Sequence, residues 1–413
     1  MRATPDAAAR VWGVGRAVGG AVPDARGVDS ARGWAVVAAA FSSMFVVYGI
    51  VYSFGAFFDS MAADFGTGKG ATALIFSITT AWYFGLGLVS GKAADRYGPR
   101  PVLVVAAVVL GAALLLTSRV QAIWLGYITY GGGVGIAVAC AYVPMVAAVG
   151  GWFQRRRTTA LGIAVAGIGV GTLVVAPLSE QLIDAHGWRT AYVVLGLAGA
   201  GVLLLASLGA HRPPVVAHAQ PVALRAVARQ RWFVVLYAAI LLLSASLFVP
   251  FVFMKSYATD RGIDSGPAAT LVGIIGASSV IGRLGIGALG TRFGAVLLTQ
   301  LSFAVLTASF LIWLSAGGSY ARLVVFAIVM GVAYGGFIAL TPAVVADFHG
   351  TLGLGAVLGA LYTAAALGGL IGPPLIGVLI DDVSYHAGIV AAMVITGAST
   401  AVLALLRRSS TPS

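Results

Sequence analysis

The chain has 413 residues, of which 60% are hydrophobic and only 9% are charged. No water-soluble domain of this length hides that much apolar surface, so the composition excludes a soluble enzyme or binding module and requires a membrane-embedded chain. The net charge of +12 sits in loops between apolar runs rather than on one soluble face, so it is no signal for nucleic acid.

Residues 1–32 are rich in Ala, Gly and Arg and lack a continuous apolar core. They read as a disordered basic tail and not as a cleavable signal peptide. About twenty consecutive apolar residues span a bilayer. Twelve such runs follow, at roughly 33–58, 71–90, 101–118, 122–149, 159–183, 191–210, 232–257, 267–289, 296–316, 322–347, 355–380 and 387–406. The longest connection, 211–231, carries Pro213, Pro214, Pro221 and four arginines, and it splits the chain six plus six. The expected organisation is a tail (1–32), a first six-helix bundle (33–210), a cytoplasmic linker (211–231), a second bundle (232–406) and a short tail (407–413). The 56 glycines suit helices that pack closely in lipid through small residues. The single cysteine, Cys140, lies inside an apolar run, so no disulfide framework is expected.

Orientation follows from the basic residues of the short loops. With the N-terminus in the cytoplasm, 18 of the 25 Lys and Arg residues fall inside, including Lys92, Arg96, Arg100, Arg155, Arg156, Arg157, Arg292, Arg407 and Arg408. The outside holds only Lys69, Arg119, Arg189, Arg261 and Arg322. Both termini are then cytoplasmic, and the expected location is the inner (plasma) membrane.

The halves repeat each other. Trp34-Ala-Val-Val matches Trp232-Phe-Val-Val, Gly91–Gly98 (GKAADRYG) matches Gly287–Gly294 (GALGTRFG), and Pro177-Leu-x-x-x-Leu-Ile-Asp184 matches Pro374-Leu-x-x-x-Leu-Ile-Asp381. A nearly constant offset at three separate places predicts two bundles of the same build. Such a pair suits alternating access, with a substrate held between the halves near mid-bilayer.

One stretch stands out, Gly276-Ala-Ser-Ser-Val-Ile-Gly-Arg-Leu-Gly-Ile-Gly287, because Arg283 lies inside a predicted span. A charge at mid-bilayer costs roughly 2.5–3.5 kcal/mol on insertion scales, so it is kept where it lines a cavity or has a partner. No acid lies within two helical turns of it on that span. The remaining span residues supply further candidates for a cavity: Tyr142, Tyr334, Tyr48, Phe337 and Tyr362.

Two motifs identify a family. Gly91-Lys-Ala-Ala-Asp95-Arg96-Tyr-Gly98-Pro-Arg100 lies between spans 2 and 3. Asp95 there is placed to meet a helix N-terminus or a neighbouring arginine as a charged latch. The stretch resembles the signature loop of the major facilitator superfamily, G-x-x-x-D-R-x-G-R-(K/R). The second-half copy has Thr291 where Asp95 stands. Trp152-Phe-Gln-Arg155-Arg156-Arg157-Thr-Thr-Ala160-Leu-Gly162-Ile-Ala164-Val-Ala166-Gly167-Ile-Gly-Val-Gly171 resembles the span-5 signature of the monocarboxylate transporter family. Thr159 and Ile168 depart from that pattern. Asp29-Ser-Ala-Arg-Gly33-Trp34 partly matches the family's signature ahead of span 1. Apart from any family, Arg155–Arg157 are positive-inside anchors and the glycines form a packing face.

The resemblance implies a twelve-span, all-α membrane fold of two pseudo-symmetric bundles. It also implies that Arg283 binds the substrate carboxylate, a role suited to its planar, two-pronged guanidinium. By the same resemblance, Tyr142 and Tyr334 present hydroxyls to the carboxylate, and Asp260, at the outer end of span 7, couples transport to a proton. Mammalian members carry an aspartate where this chain has Ser279, and oxalate carriers carry a lysine in span 11, where this chain has none. Tyr48, Phe337 and Tyr362 are expected to wall the substrate's carbon end. Gating is assigned to Gly91, Asp95, Arg96, Gly98 and Arg100, with Asp347 at the inner end of span 10. Lys255 is placed to pair with Asp260 or attract anions, and Asp184, Asp381 and Asp382 read as outer-surface loop charges.

The expected function is secondary transport of a small organic anion, a lactate- or pyruvate-like monocarboxylate moved with a proton. The alternatives are an anion exchanger of the oxalate/formate kind or a carrier of another carboxylate. An enzyme is disfavoured because all five histidines fall in loops and no acid pair lies mid-membrane. A sensor is disfavoured because no soluble signalling domain is present. Neither a cofactor nor a metal is expected, and a monomer is expected to suffice.

Overall fold

The computed structural model describes residues 29–214, 223–350 and 353–406. Residues 1–28 of the expected tail (1–32), the tail 407–413, linker residues 215–222 with Pro221, and the side chain of Thr291 lie outside the described residues; the last residues of the expected first tail are ordered, because Ala31 and Arg32 already form the first turn of a helix.

The chain is helical from end to end of the described residues. The first span is α1 (Ala31–Tyr52) continued by α2 (Phe54–Phe65). The second is α3 (Lys69–Gly85) continued by α4 (Gly87–Tyr97), and the third is α5 (Pro99–Thr117). The fourth starts as α6 (Ile123–Gly126), widens to a π segment (Tyr127–Val134) and ends as α7 (Gly135–Trp152). The long α8 (Arg157–Gly209) is followed by a single turn, α9 (Leu224–Val227). The second half runs α10 (Arg231–Leu247), α11 (Val249–Thr259), α12 (Ser265–Phe293), α13 (Ala295–Ala316), α14 (Tyr320–His349), α15 (Leu354–Asp382) and α16 (Tyr385–Ala404).

The 53 residues of α8 would reach about 80 Å as one straight helix, far beyond the roughly 30 Å hydrocarbon core. Gly187, at φ 78° and ψ 158°, breaks it into two spans. The α3–α4 pair bends by 46° at its break and counts as one span. With both taken so, twelve spans lie among the described residues. They overrun the apolar runs of the sequence by a few residues, because their polar ends (Lys69, Asp95, Arg96, Arg157, Asp381, Asp382) stay helical.

The sequence repeat is visible in the backbone. Gly98 (φ 92°) ends α4 just before α5, and Gly294 (φ 90°) ends α12 just before α13. Only glycine takes such angles without strain, so each half turns on one residue. The stretch from Gly91 to Arg100, expected as the inner loop between spans 2 and 3, is therefore a helix end, a one-residue turn and a helix start. Spans 1 and 7 break at matching places, Ser53 and Phe248. Pro144 and Pro342 lie inside α7 and α14 at corresponding depths.

The halves meet through small residues. A Cβ on Gly55 would lie 2.7 Å from the carbonyl oxygen of Phe251, one on Gly276 would lie 2.6 Å from Thr172, and Gly377 lies against Gly70. These contacts join α2 to α11, α8 to α12, and α3 to α15. They replace the hydrophobic drive that lipid cannot supply with close backbone packing. Gly167 and Gly171 of the span-5 signature press on the carbonyls of Phe41 and Phe45 in α1, and Gly169 presses on Gly276. The glycines of that signature are thus a packing face on two sides.

Candidate functional site

Between the halves lies a cavity of about 360 Å³. Spans 1, 2, 4 and 5 line it from one half, and spans 7, 8, 10 and 11 from the other. Its wall includes Leu88, Ala147, Gly355 and Gly359 toward the arginine-rich ends of their helices, where Leu88 is 42% exposed. At the opposite end the rings of Tyr52 and Phe251 stack at 4.4 Å across the halves. The cavity therefore opens to the arginine-rich face and is closed toward the other.

Among the described residues, Arg283 is the one charged residue in that wall. Its Nη1 donates to the carbonyl oxygen of Val165 at 3.2 Å, which tethers α12 to α8. Its Nε is buried without a partner, and the guanidinium carbon stands 5.8 Å from the centroid of the Tyr334 ring. A guanidinium carries five N–H donors. One that holds a single hydrogen bond among the described residues has donors to spare for an anion.

All six residues expected around a substrate line this cavity: Arg283, Tyr334, Tyr142, Tyr48, Phe337 and Tyr362. Tyr48 packs at 5.4 Å from Tyr142, 5.9 Å from Tyr83 and 5.6 Å from Tyr52. Phe337 lies edge-on to Phe303 at 5.3 Å. Sequence reasoning missed Tyr52, Tyr83, Phe84 and Phe248, which also line the wall. Tyr52 had a signal: it follows Tyr48 by four residues, so both share one face of α1. Its hydroxyl meets that of Tyr334 at 3.1 Å.

The other expected sites lie elsewhere. Asp260 is exposed at the end of α11 and does not reach the cavity. Lys255, 7% exposed, does not turn to Asp260. Its Nζ lies 3.2 Å from Oε1 of Glu180 and 3.7 Å from Oδ2 of Asp59, so it ties span 7 to spans 5 and 1. Glu180 is 2% exposed, and its Oε2 has no hydrogen-bond partner. The Ser256 hydroxyl donates to Asp59 at 2.6 Å.

Asp184 and Asp381 are not the plain loop charges expected. Asp381 accepts from the backbone N–H of Lys69 at 2.5 Å and of Gly70 at 3.4 Å, at the N-terminus of α3. Asp184 accepts from the Ser265 hydroxyl at 3.3 Å, at the N-terminus of α12. Each ends its copy of the Pro-Leu-x-x-x-Leu-Ile-Asp repeat, and each reaches a helix start in the other half. Asp382 is exposed.

On the arginine-rich face, Asp95, Arg96 and Arg100 are exposed. Among the described residues Asp95 forms no ion pair, so the expected latch is unmade in this state. Arg212 lies over Gly98 and donates to the Arg96 carbonyl at 2.7 Å. Gly91 faces Val143, and Asp347 sits at the arginine-rich end of α14. The two family signatures of the first half touch: the Asp29 carboxylate accepts from the backbone N–H groups of Arg155 and Arg156 at 3.3 and 3.4 Å. Trp34 lies edge-on to Phe153 at 5.1 Å. That carboxylate lies where the helix dipole of α8 favours negative charge.

The family model of the Major Facilitator Superfamily matches residues 40–350. The chain is 31% identical over 377 residues to monocarboxylate transporter 3 of Rattus norvegicus, which covers 87% of this chain and 76% of the relative. It is 29% identical over 389 residues to monocarboxylate transporter 13 of Bos taurus, covering 92% and 90%. It is 28% identical over 359 residues to the aspyridones efflux protein of Emericella nidulans, covering 85% and 72%. Two solved structures share the fold. The nucleoside transporter NupG gives a TM-score of 0.71 at 15% identity, over 91% of this chain and 98% of that one. A bacterial homolog of the human lysosomal transporter Spinster, inward-facing and unoccupied, gives 0.72 at 14%, over 91% and 97%.

Proposed function

Since this chain belongs to the Major Facilitator Superfamily and is kin to its monocarboxylate transporters, we propose that it carries small organic anions bearing one carboxylate, coupled to protons, by alternating access. It is a multi-pass membrane transporter and not an enzyme. The observation that carries the substrate reading is Arg283: a half-buried cation with an unpartnered Nε, the only charge that the described residues place in the wall of a cavity between the halves. In this reading a carboxylate docks on the guanidinium, and the hydroxyls of Tyr142 and Tyr334 support it. Neutralising the buried charge then favours rocking of one half on the other. The arginine-rich face is the cytoplasmic one, and the location is the plasma membrane.

Two carboxylates compete for the proton. Asp260 is the family's candidate, but it is exposed at the end of α11. Glu180 is buried against Lys255 on the closed face. Opening that face separates Glu180 from Lys255 and strands a buried charge, which is costly. A proton on Glu180 removes that cost, so Glu180 ties opening to acid on that side. The signature around Asp95 and Arg96, from Gly91 to Arg100, latches the opposite face in the other state.

A second reading is anion exchange, and the wall of the cavity favours it: no carboxylate there compensates Arg283 when the substrate leaves. An empty carrier then returns more readily with a counter-anion bound.

Uptake of labelled carboxylates into proteoliposomes, with and without a pH gradient, tests both. Gradient-driven uptake that is lost in Arg283→Ala supports symport. Uptake that ignores the gradient and requires an internal anion replaces symport with exchange. Full uptake in Arg283→Ala would remove the anion anchor altogether.

A further inference from the structure

We infer that the substrate's carbon end is an aryl or comparably bulky apolar group, so that this carrier takes aryl-bearing monocarboxylates in preference to lactate-sized acids. The inference rests on the anion-carrier reading above and names the substrate of that same site.

Size comes first. A cavity of about 360 Å³ lies within the roughly 300–1,000 Å³ that hold drug-sized ligands. In liquid-water terms it holds about a dozen waters. A six-heavy-atom hydroxy acid on Arg283 would leave most of that space as water against aromatic rings.

The wall is the second point. Nine of its 25 lining residues are aromatic, against 10% of the chain as a whole. Phe84 from span 2 and Tyr362 from span 11 stand 5.8 Å apart at 42°, one from each half, and both are half-buried. Aromatic pairs prefer centroid separations of about 4.5–7 Å, so these two rings touch across the halves and together give the wall an aromatic surface on which a substrate ring can pack.

Polar chemistry is the third point. Apart from Arg283, the described wall carries the Ser244 hydroxyl and six tyrosine hydroxyls, each at the end of an aromatic ring, and those of Tyr52 and Tyr334 meet at 3.1 Å. Among the described residues the wall also holds one cation and no carboxylate. It therefore matches one acid group and offers no anion to an ammonium.

Three probes isolate these features: lactate, 3-phenyllactate and phenylalanine. The first two share a carboxylate and a 2-hydroxyl and differ by a phenyl ring. The last two share the ring and differ in the ammonium. Uptake and competition are measured on the intact protein in proteoliposomes. We expect 3-phenyllactate to half-saturate at a concentration at least tenfold below that of lactate, a difference of about 1.4 kcal/mol. Phenylalanine should compete at least tenfold more weakly than 3-phenyllactate. In the double variant Phe84→Ala, Tyr362→Ala the tenfold ratio between the two hydroxy acids should fall toward one. Lactate half-saturating at or below the concentration of 3-phenyllactate in the wild type overturns the inference and leaves the anion carrier standing. If neither acid is carried or competes, while an uncharged solute is, the anion reading itself falls and this inference with it.

Discussion

The two ends of the interface between the halves are built from the same repeated sequence and are in opposite conditions. At the closed end, charges cross from one half to the other: Asp381 to the start of α3, Asp184 toward the start of α12, and Lys255 to Glu180 and Asp59. At the arginine-rich end, Asp95 is exposed and unpaired among the described residues, and Leu88 in the cavity wall is 42% exposed. The difference teaches where the state of the molecule is decided. The apolar contacts run along the spans at both ends, but among the described residues the ion pairs across the halves lie at the closed one, while Arg283 holds the Val165 carbonyl beside the cavity. Each half supplies one aspartate from the same motif to a helix N-terminus of the other, so the closure is itself pseudo-symmetric.

Breaking the closed end should have effects in the order of burial. Lys255→Met leaves Glu180 buried and uncompensated, which costs about 3–5 kcal/mol. Spin labels at Ala63 and Val383, in a Cys140→Ala background, report the width of that end by electron–electron distance. The variant should move the distribution to longer distances, and Glu180→Gln added to Lys255→Met should bring most of it back. An unchanged distribution in Lys255→Met would show that the ionic cluster does not hold the end.

Gly276→Val comes next. Its side chain would meet Thr172, whose Cβ lies 2.6 Å from where a Cβ on Gly276 would sit. Overpacking of this kind costs about 1–3 kcal/mol. The α8–α12 seam should loosen, and thermal stability and uptake should fall together. A variant as stable and as active as the wild type would contradict the close seat.

Asp381→Asn and Asp184→Asn test the paired helix-start contacts. Each is expected to shift the same spin-label distribution by about 0.3–2 kcal/mol. Asp381 should count for more, because it accepts two backbone N–H groups and lies 3.9 Å from Lys69 Nζ, whereas Asp184 takes one hydroxyl. Equal shifts, or a larger one at Asp184, would break that ranking. Asp95→Asn closes the series: its side chain is exposed, so the closed end should change by less than about 0.5 kcal/mol. Its effect should instead appear as slower transport, through the state in which the arginine-rich face is shut.

The same contrast explains what could be read from the sequence. Spans were legible because apolar length is a local property, and the repeat was legible because it is written three times. Arg283 was legible because a charge in an apolar run is conspicuous, and the tyrosines of α7 and α14 because resemblance pointed to them. Lys255 was misjudged because its nearest acid in sequence, Asp260, is not its nearest in space. Glu180 and Asp59 lie 75 and 196 residues from it along the chain. Asp184 and Asp381 read as loop charges for the same reason: their partners are helix starts in the other half. The Asp95 stretch read as a loop, although only Gly98 interrupts the helices.

The anion anchor is the claim on which the rest depends, and equilibrium binding of a labelled aryl carboxylate to purified protein tests it most directly. Losing a buried, hydrogen-bonded charge partner costs about 2–5 kcal/mol. Arg283→Gln should therefore weaken binding by roughly thirtyfold or more while the variant keeps its fold by thermal unfolding. Unchanged affinity in a folded Arg283→Gln protein would contradict the account.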